Sequence, residues 1–129
     1  LNSSDYDEIL VGWWKDWGWD PPQRDFLPSD GSGGCIVFDE DTPVCAGFMY
    51  ITNSKAVWID WIISNKNYRK KPERKKAINL LIDTLTNISR NLGSKYAYAL
   101  IKHSGLIESY EELGYVKGDS YTSEMIKIL

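Results

Sequence analysis

Between Cys35 and Ser64 three short runs rich in β-branched and aromatic residues are separated only by tight turns. The runs are Cys35–Asp39, Val44–Thr52 and Ala56–Ser64; the turns are Asp41-Thr42-Pro43 and Asn53-Ser54-Lys55. Turns this short return each strand beside the one before it, so the segment predicts an antiparallel meander. A meander has faces to cover, and the remaining chain must supply the cover.

Helical periodicity appears on both sides. Tyr6, Ile9, Leu10, Trp13, Trp14 and Trp17 recur at spacings of three and four, predicting a helix over 5–19. Ser4 or Asp5 suits its N-cap, and Gly18 with Pro21-Pro22 ends it. Residues 20–34 predict a loop closing on the turn-rich run 29–34. Further on, Ile78, Leu81, Ile82, Leu85 and Ile88 form one stripe of a second helix, with Pro72 near its start and Leu92-Gly93 at its end. Tyr96–Ile101 predicts a fourth strand and Leu106–Leu113 a short helix closed by Gly114. Tyr115–Val116 and Tyr121–Leu129 predict a final strand pair. The expected order is α-β-β-β-α-β-α-β-β, a mixed α/β (α+β) domain filling residues 1–129.

Hydrophobic residues at 43% are enough for a real core, and no apolar run approaches the roughly 18 residues that a membrane span needs. The acidic, Trp-rich N-terminus does not read as a signal or transit peptide. Cys35 and Cys45 have no nearby His or Cys partner and do not suggest zinc. They are expected as buried reduced thiols of a cytoplasmic protein, with a cross-strand disulfide as the lesser alternative.

Charge is distributed unevenly. Residues 1–60 hold 11 acids and 3 bases, whereas Lys66, Arg69, Lys70, Lys71, Arg74, Lys75 and Lys76 crowd into 11 residues with Glu73 as the one acid. The crowd sits where a strand runs into a helix. Helix N-termini present unpaired N–H groups and partial positive charge, so this junction suits a phosphate-bearing ligand. A solvated lysine face and a nucleic-acid backbone site are the other readings of the same charge. The acidity of the rest of the chain disfavours the nucleic acid.

The stretch Trp61-Ile62-Ile63-Ser64-Asn65-Lys66-Asn67-Tyr68-Arg69-Lys70-Lys71 resembles the acetyl-CoA site of the GNAT superfamily of acyl-CoA N-acyltransferases. Ser109-Tyr110-Glu111-Glu112-Leu113-Gly114-Tyr115 resembles that family's late Y-E-x-L-G-aromatic stretch. The order of elements agrees over about 95 residues from Cys35 onward. The resemblance implies a mostly antiparallel central sheet flanked by helices. It implies acetyl-CoA as co-substrate and a small-molecule or peptide amine as acceptor. It implies that the third strand splays from its neighbour and that Ile62, Ile63 and Ser64 pair with the pantetheine arm. Lys70, Lys71, Glu73, Arg74, Lys75 and Lys76 would meet the pyrophosphate. Tyr110 would protonate the departing thiolate, Asp60 would take the amine's proton, and His103, after the fourth strand, is a further candidate base or cofactor contact. Family members often dimerise, which makes a homodimer one expected arrangement.

The loop departs from the family's R/Q-x-x-G-x-G/A pattern because it has no glycine. Glycine lets a backbone approach phosphate closely. Two alternatives therefore stay beside the transferase: a GNAT-like binding module without turnover, and a nucleic-acid-associated transferase. Period-two alternation places Val57, Ile59, Trp61 and Ile63 on one face of the third strand, opposite Trp58, Asp60 and Ile62. Of Trp13, Trp14, Trp17 and Trp19, two are expected in the core, and the others suit an apolar acceptor wall.

Overall fold

A computed structural model describes residues 1–2, 4–28, 33–120 and 123–129. A π-helical turn, Tyr6–Leu10, leads into α1, Val11–Asp16. Gly18, at φ 79°, ends the segment as expected. Neither Ser4 nor Asp5 caps it through its side chain; Asp5 instead accepts from the Asn2 N–H at 2.7 Å.

The sheet has four strands in the order β1-β2-β3-β4: Gly34–Asp39, Thr42–Ile51, Ala56–Ser64 and Tyr96–Tyr98. The first three form the antiparallel meander, and β4 joins β3 in parallel. The first turn is tighter than expected. Glu40 and Asp41 alone make it, and Thr42 already pairs with Asp39. Much of the turn-rich run at 29–34 lies outside the described residues.

Helix α2, Pro72–Asn91, lies across one face. Its expected stripe is buried at Ile78, Leu81, Ile82 and Leu85, packed with Cys45, Met49, Val57 and Ile59. Ser89 is buried on the same stripe; its hydroxyl donates to the Leu85 carbonyl at 2.8 Å. The π turn and α1 cover the other face, where Leu10, Trp13 and Trp14 meet Ala46, Phe48 and Ile63. Trp13 and Trp14 are thus the two core tryptophans. Helix α3, Ser104–Glu112, docks on α2 through Lys75, whose ammonium meets Glu112 at 2.9 Å and Glu108 at 3.4 Å.

Two expectations need correction. The fourth strand stops at Tyr98 rather than Ile101. The final strand pair does not form among the described residues of 115–129; Tyr121 and Thr122 lie outside them. Val116, Met125, Ile128 and Leu129 are exposed. β-propensity makes a strand only where an edge offers ladder partners, and β4 offers three residues. The cysteines are both free: Cys35 stands opposite Gly47 and Cys45 opposite Val37, so they are not a facing pair. Among the described residues no helix is long and apolar enough to cross a membrane.

Candidate active site

The feature that organises the site is a bulge in β3. Phe48 pairs with Asp60 and Ala46 with Ile63, so Trp61 and Ile62 together face the single residue Gly47. Trp61 takes φ 56°, an uncommon conformation for a bulky residue. Three contacts hold it there. The Asp60 carboxylate accepts the Trp61 N–H at 2.7 Å, and the Trp61 ring stands edge-on to Phe26 and Trp14. The bulge overturns simple alternation. Val57 and Ile59 face α2, as does Ile62, but Trp61 and Ile63 join the cluster under α1.

Gly47 makes the bulge possible. A Cβ there would come within 2.4 Å of Ile62 Cδ1 and 3.3 Å of Leu81 Cδ2. Only a glycine leaves room for Ile62 between the strand and α2.

Before the bulge is reached β3 and β4 part. They pair only at Ala56–Tyr96, Val57–Ala97 and Trp58–Tyr98. From Ile59 onward the edge of β3 that faces β4 has no ladder partner. The fork opens toward the end of β3, where the chain passes a 3₁₀ turn, Lys66–Tyr68, and enters α2 at Pro72.

The α2 tip carries Pro72 in its first turn and has Lys71 as N-cap with no side-chain cap, while the Arg74 N–H bonds back to the Lys71 carbonyl at 3.2 Å. Its lysines and arginines are not equivalent. Lys71 lies 4.6 Å from the Tyr68 ring centroid. Arg74 donates to the Arg69 carbonyl at 3.2 Å and lies 5.6 Å from the Trp17 ring. Lys75 is held by α3. Lys70, Glu73 and Lys76 are exposed.

Trp17 is a feature that sequence reasoning did not resolve. Its indole N–H donates to the Ser64 carbonyl at 2.8 Å. Asn65 donates to Val44 across the β2–β3 ladder. Backbone direction alternates along a strand, so the Ser64 carbonyl points away from β2, into the fork. Trp17 stacks on Trp19 at 5.6 Å, and Trp19 lies 6.1 Å from the His103 ring. His103 is therefore brought to an exposed aromatic file, as N-cap of α3, and not to Asp60 or Tyr110.

Tyr110 is 3% exposed on the α2 side and packs edge-on against Tyr115 at 4.8 Å. Burial pushes its phenol well above the ordinary 10.0, and the charges of Tyr115 and Asp60 push the same way. Burial also raises the Tyr50 phenol, again with Asp60 adding to the shift. The charge of Asp60 is thus felt on both faces of the sheet. Its second oxygen accepts the Trp58 indole N–H at 3.0 Å. A groove of about 350 Å³ lies behind β4, lined by residues such as Thr86, Tyr96 and Tyr115; none of the expected site residues borders it.

No family model matches the chain. No curated protein matches it by sequence. Solved structures do match in shape. Glucosamine-6-phosphate N-acetyltransferase from Arabidopsis thaliana superposes with a TM-score of 0.66 at 13% identity, over 98% of this chain and 95% of that one. An aminoglycoside acetyltransferase from an uncultured soil metagenomic sample gives 0.68 at 10% identity, over 100% and 93%. The chain shares the fold of these acetyltransferases. A variant of the protein TTHA1254 from Thermus thermophilus gives 0.72 at 10% identity, over 100% and 95%. At such identities the likeness concerns the fold alone, and the acceptor must be argued from this chain's own residues.

Proposed function

We propose that the chain transfers an acetyl group from acetyl-CoA to a primary amine, with the β3–β4 fork as the thioester site. The observation that carries this reading is the early end of β3–β4 pairing beside an uncapped, lysine-flanked helix tip. An unpaired strand edge can hydrogen-bond an extended amide-bearing arm. A helix N-terminus favours phosphate.

In this reading the amine nitrogen attacks the thioester carbonyl carbon, and the carbon–sulfur bond breaks. Asp60 takes the proton released from nitrogen, directly or through water. Tyr110 gives its phenolic proton to the departing thiolate. Its raised affinity for that proton keeps it in the donating form at neutral pH. His103 has no step, because its ring lies against Trp19.

A binding module without turnover is the second reading, favoured by one contact. The Ser64 carbonyl, assigned by resemblance to the cofactor arm, already accepts from Trp17. Calorimetric titration with acetyl-CoA, followed by thiol release in the presence of amines, separates the two. Saturable binding with amine-dependent thiol release supports the transferase. Binding without release supports the module. No heat at millimolar acetyl-CoA sinks the acyl-CoA reading altogether.

A further inference from the structure

Resting on the acetyl-transfer reading, we infer the class of acceptor: a primary amine carried on an aromatic or other flat apolar body, bound by the ring row Tyr50–Trp58–Tyr98 beside Asp60. The row follows from register. Tyr50 faces Trp58 across β2–β3, and Trp58 faces Tyr98 across β3–β4. Directly opposed residues on neighbouring strands project from the same face. Tyr50 belongs to the cluster under α1, so the row lies on the α1 side.

α1 does not extend over it. The adjoining row, Phe48, is 2% exposed, whereas Tyr98 is 43% exposed and Tyr50 and Trp58 are half-buried. The Trp58 and Tyr98 rings are 4.7 Å apart. Along β3, Asp60 comes next on this face, followed by Trp61 with Phe26 edge-on at 5.6 Å. A half-buried carboxylate is therefore flanked by rings along its strand.

Asp60 has no cationic partner among the described residues. Its two hydrogen bonds, from the Trp58 indole and the Trp61 amide, leave acceptor capacity on both oxygens. An ammonium group would complete it, and the ring faces would attract the same cation. An apolar body on the amine would cover the exposed rings. A sugar could lay only its C–H face on the rings, and the hydroxyls around its edge would find few partners along this row. The row ends where β3 and β4 part, so an amine seated at Asp60 lies at the root of the fork.

The test uses the full chain with 2-phenylethylammonium and glucosammonium, ions of equal charge, titrated calorimetrically without acyl donor. The expected result is affinity about tenfold tighter for the aryl amine. Uncharged 2-phenylethanol should bind more weakly than its amine. Tyr98→Ala and Asp60→Asn should each erase most of the preference. Tyr98→Leu, which keeps bulk in the strand, guards against misfolding and should lose the cation-dependent part. Equal affinities, a sugar preference, or a preference untouched in all three variants would overturn the inference. Acetyl-CoA is titrated into the same samples. If it is not bound while the aryl preference holds, the transfer reading falls and the amine subsite stands. If it is bound and glucosamine releases thiol as fast as phenylethylamine, the subsite falls and the transfer reading stands.

Discussion

The indole N–H of Trp17 reaches across 47 residues of sequence to the carbonyl of Ser64, at 2.8 Å. That carbonyl lies at the mouth of the fork, where an acyl-CoA arm would need it. Trp17→Phe keeps a ring but removes the donor. In the unliganded protein a part-buried carbonyl would lose its partner, costing about 1–2 kcal/mol. Acetyl-CoA would no longer compete for it, and its affinity should rise about threefold to tenfold. Thermal melting and calorimetry on the same samples check both signs. A variant that binds acetyl-CoA more weakly would mean that Trp17 supports the arm and does not compete with it.

Tyr110 is expected to matter to rate more than to stability. Its hydroxyl makes no hydrogen bond to another described residue, so Tyr110→Phe should melt near the parent temperature. Loss of a general acid should lower kcat by about 100-fold or more. Because burial holds the phenol above its ordinary value, the parent protein should not lose this donor as pH rises to 10. A kcat profile that falls with a midpoint below 10, and disappears in the variant, would contradict that assignment.

Gly47 and Gly12 make a matched pair. A Cβ at Gly47 meets Ile62 at 2.4 Å, while at Gly12, within α1, nothing lies within 4 Å. Gly47→Ala should destabilise by about 1–3 kcal/mol through overpacking. Gly12→Ala should stabilise by about 0.5–1 kcal/mol through helix propensity. Urea titrations of the two variants should move in opposite directions.

Alkaline stability follows from two buried groups and a half-buried one. Burial raises the Cys45 thiol to about 12, with Arg74 pulling weakly the other way, and also raises the Tyr50 and Tyr110 phenols. Each group keeps its proton longer folded than unfolded. The stabilisation is complete below the ordinary values of 9.0 and 10.0 and is lost as pH rises through the folded values. Melting temperature should be level from pH 7 to about 9 and fall beyond it. Cys45→Ala should lower the plateau, since it leaves a cavity, and make the onset of the fall later. An earlier onset in the variant would reverse the assignment.

The basic segment should divide into two classes. Lys70 and Lys76 make no ion pair among the described residues, whereas Lys75 is tied to Glu108 and Glu112. Lys70→Glu with Lys76→Glu should weaken acetyl-CoA binding about tenfold at low salt, and the difference should shrink as salt is added. Lys75→Ala should chiefly loosen α3 from α2, visible as faster amide exchange in Ser104–Glu112. Equal effects of the two changes on acetyl-CoA would deny the division.

Much of this was legible in the chain because local pattern and tertiary demand agree there. The α2 stripe from Ile78 to Leu85 needs only helical spacing and a sheet to cover, and Pro72 marks its start. The meander needed only short turns. Legibility failed where a single residue breaks a rule. No periodicity argument could anticipate that Trp61 would adopt φ 56° and turn Ile63 over to the α1 side. Asp60 before a bulky aromatic is the nearest signal, since a carboxylate can capture the next N–H. The file Trp17–Trp19–His103 joins residues from α1, a loop and α3, which only the assembled fold brings together. At the C-terminus the β-forming residues from Met125 to Leu129 are legible as strand formers, but the described structure gives them no edge to pair with.

The extra residue in β3 gives that strand two phases. Up to Asp60 the even-numbered side chains look toward α1; after it the odd-numbered ones do. Exchanging one amino acid for another leaves this arrangement standing. Removing Trp61 would merge the phases and leave Ile62 toward α2 and Ile63 under α1, where they already are. Deletion of Trp61 should therefore spare the faces of its neighbours, whereas deletion of Ile59, a regularly paired residue, would turn the Asp60 carboxylate toward α2.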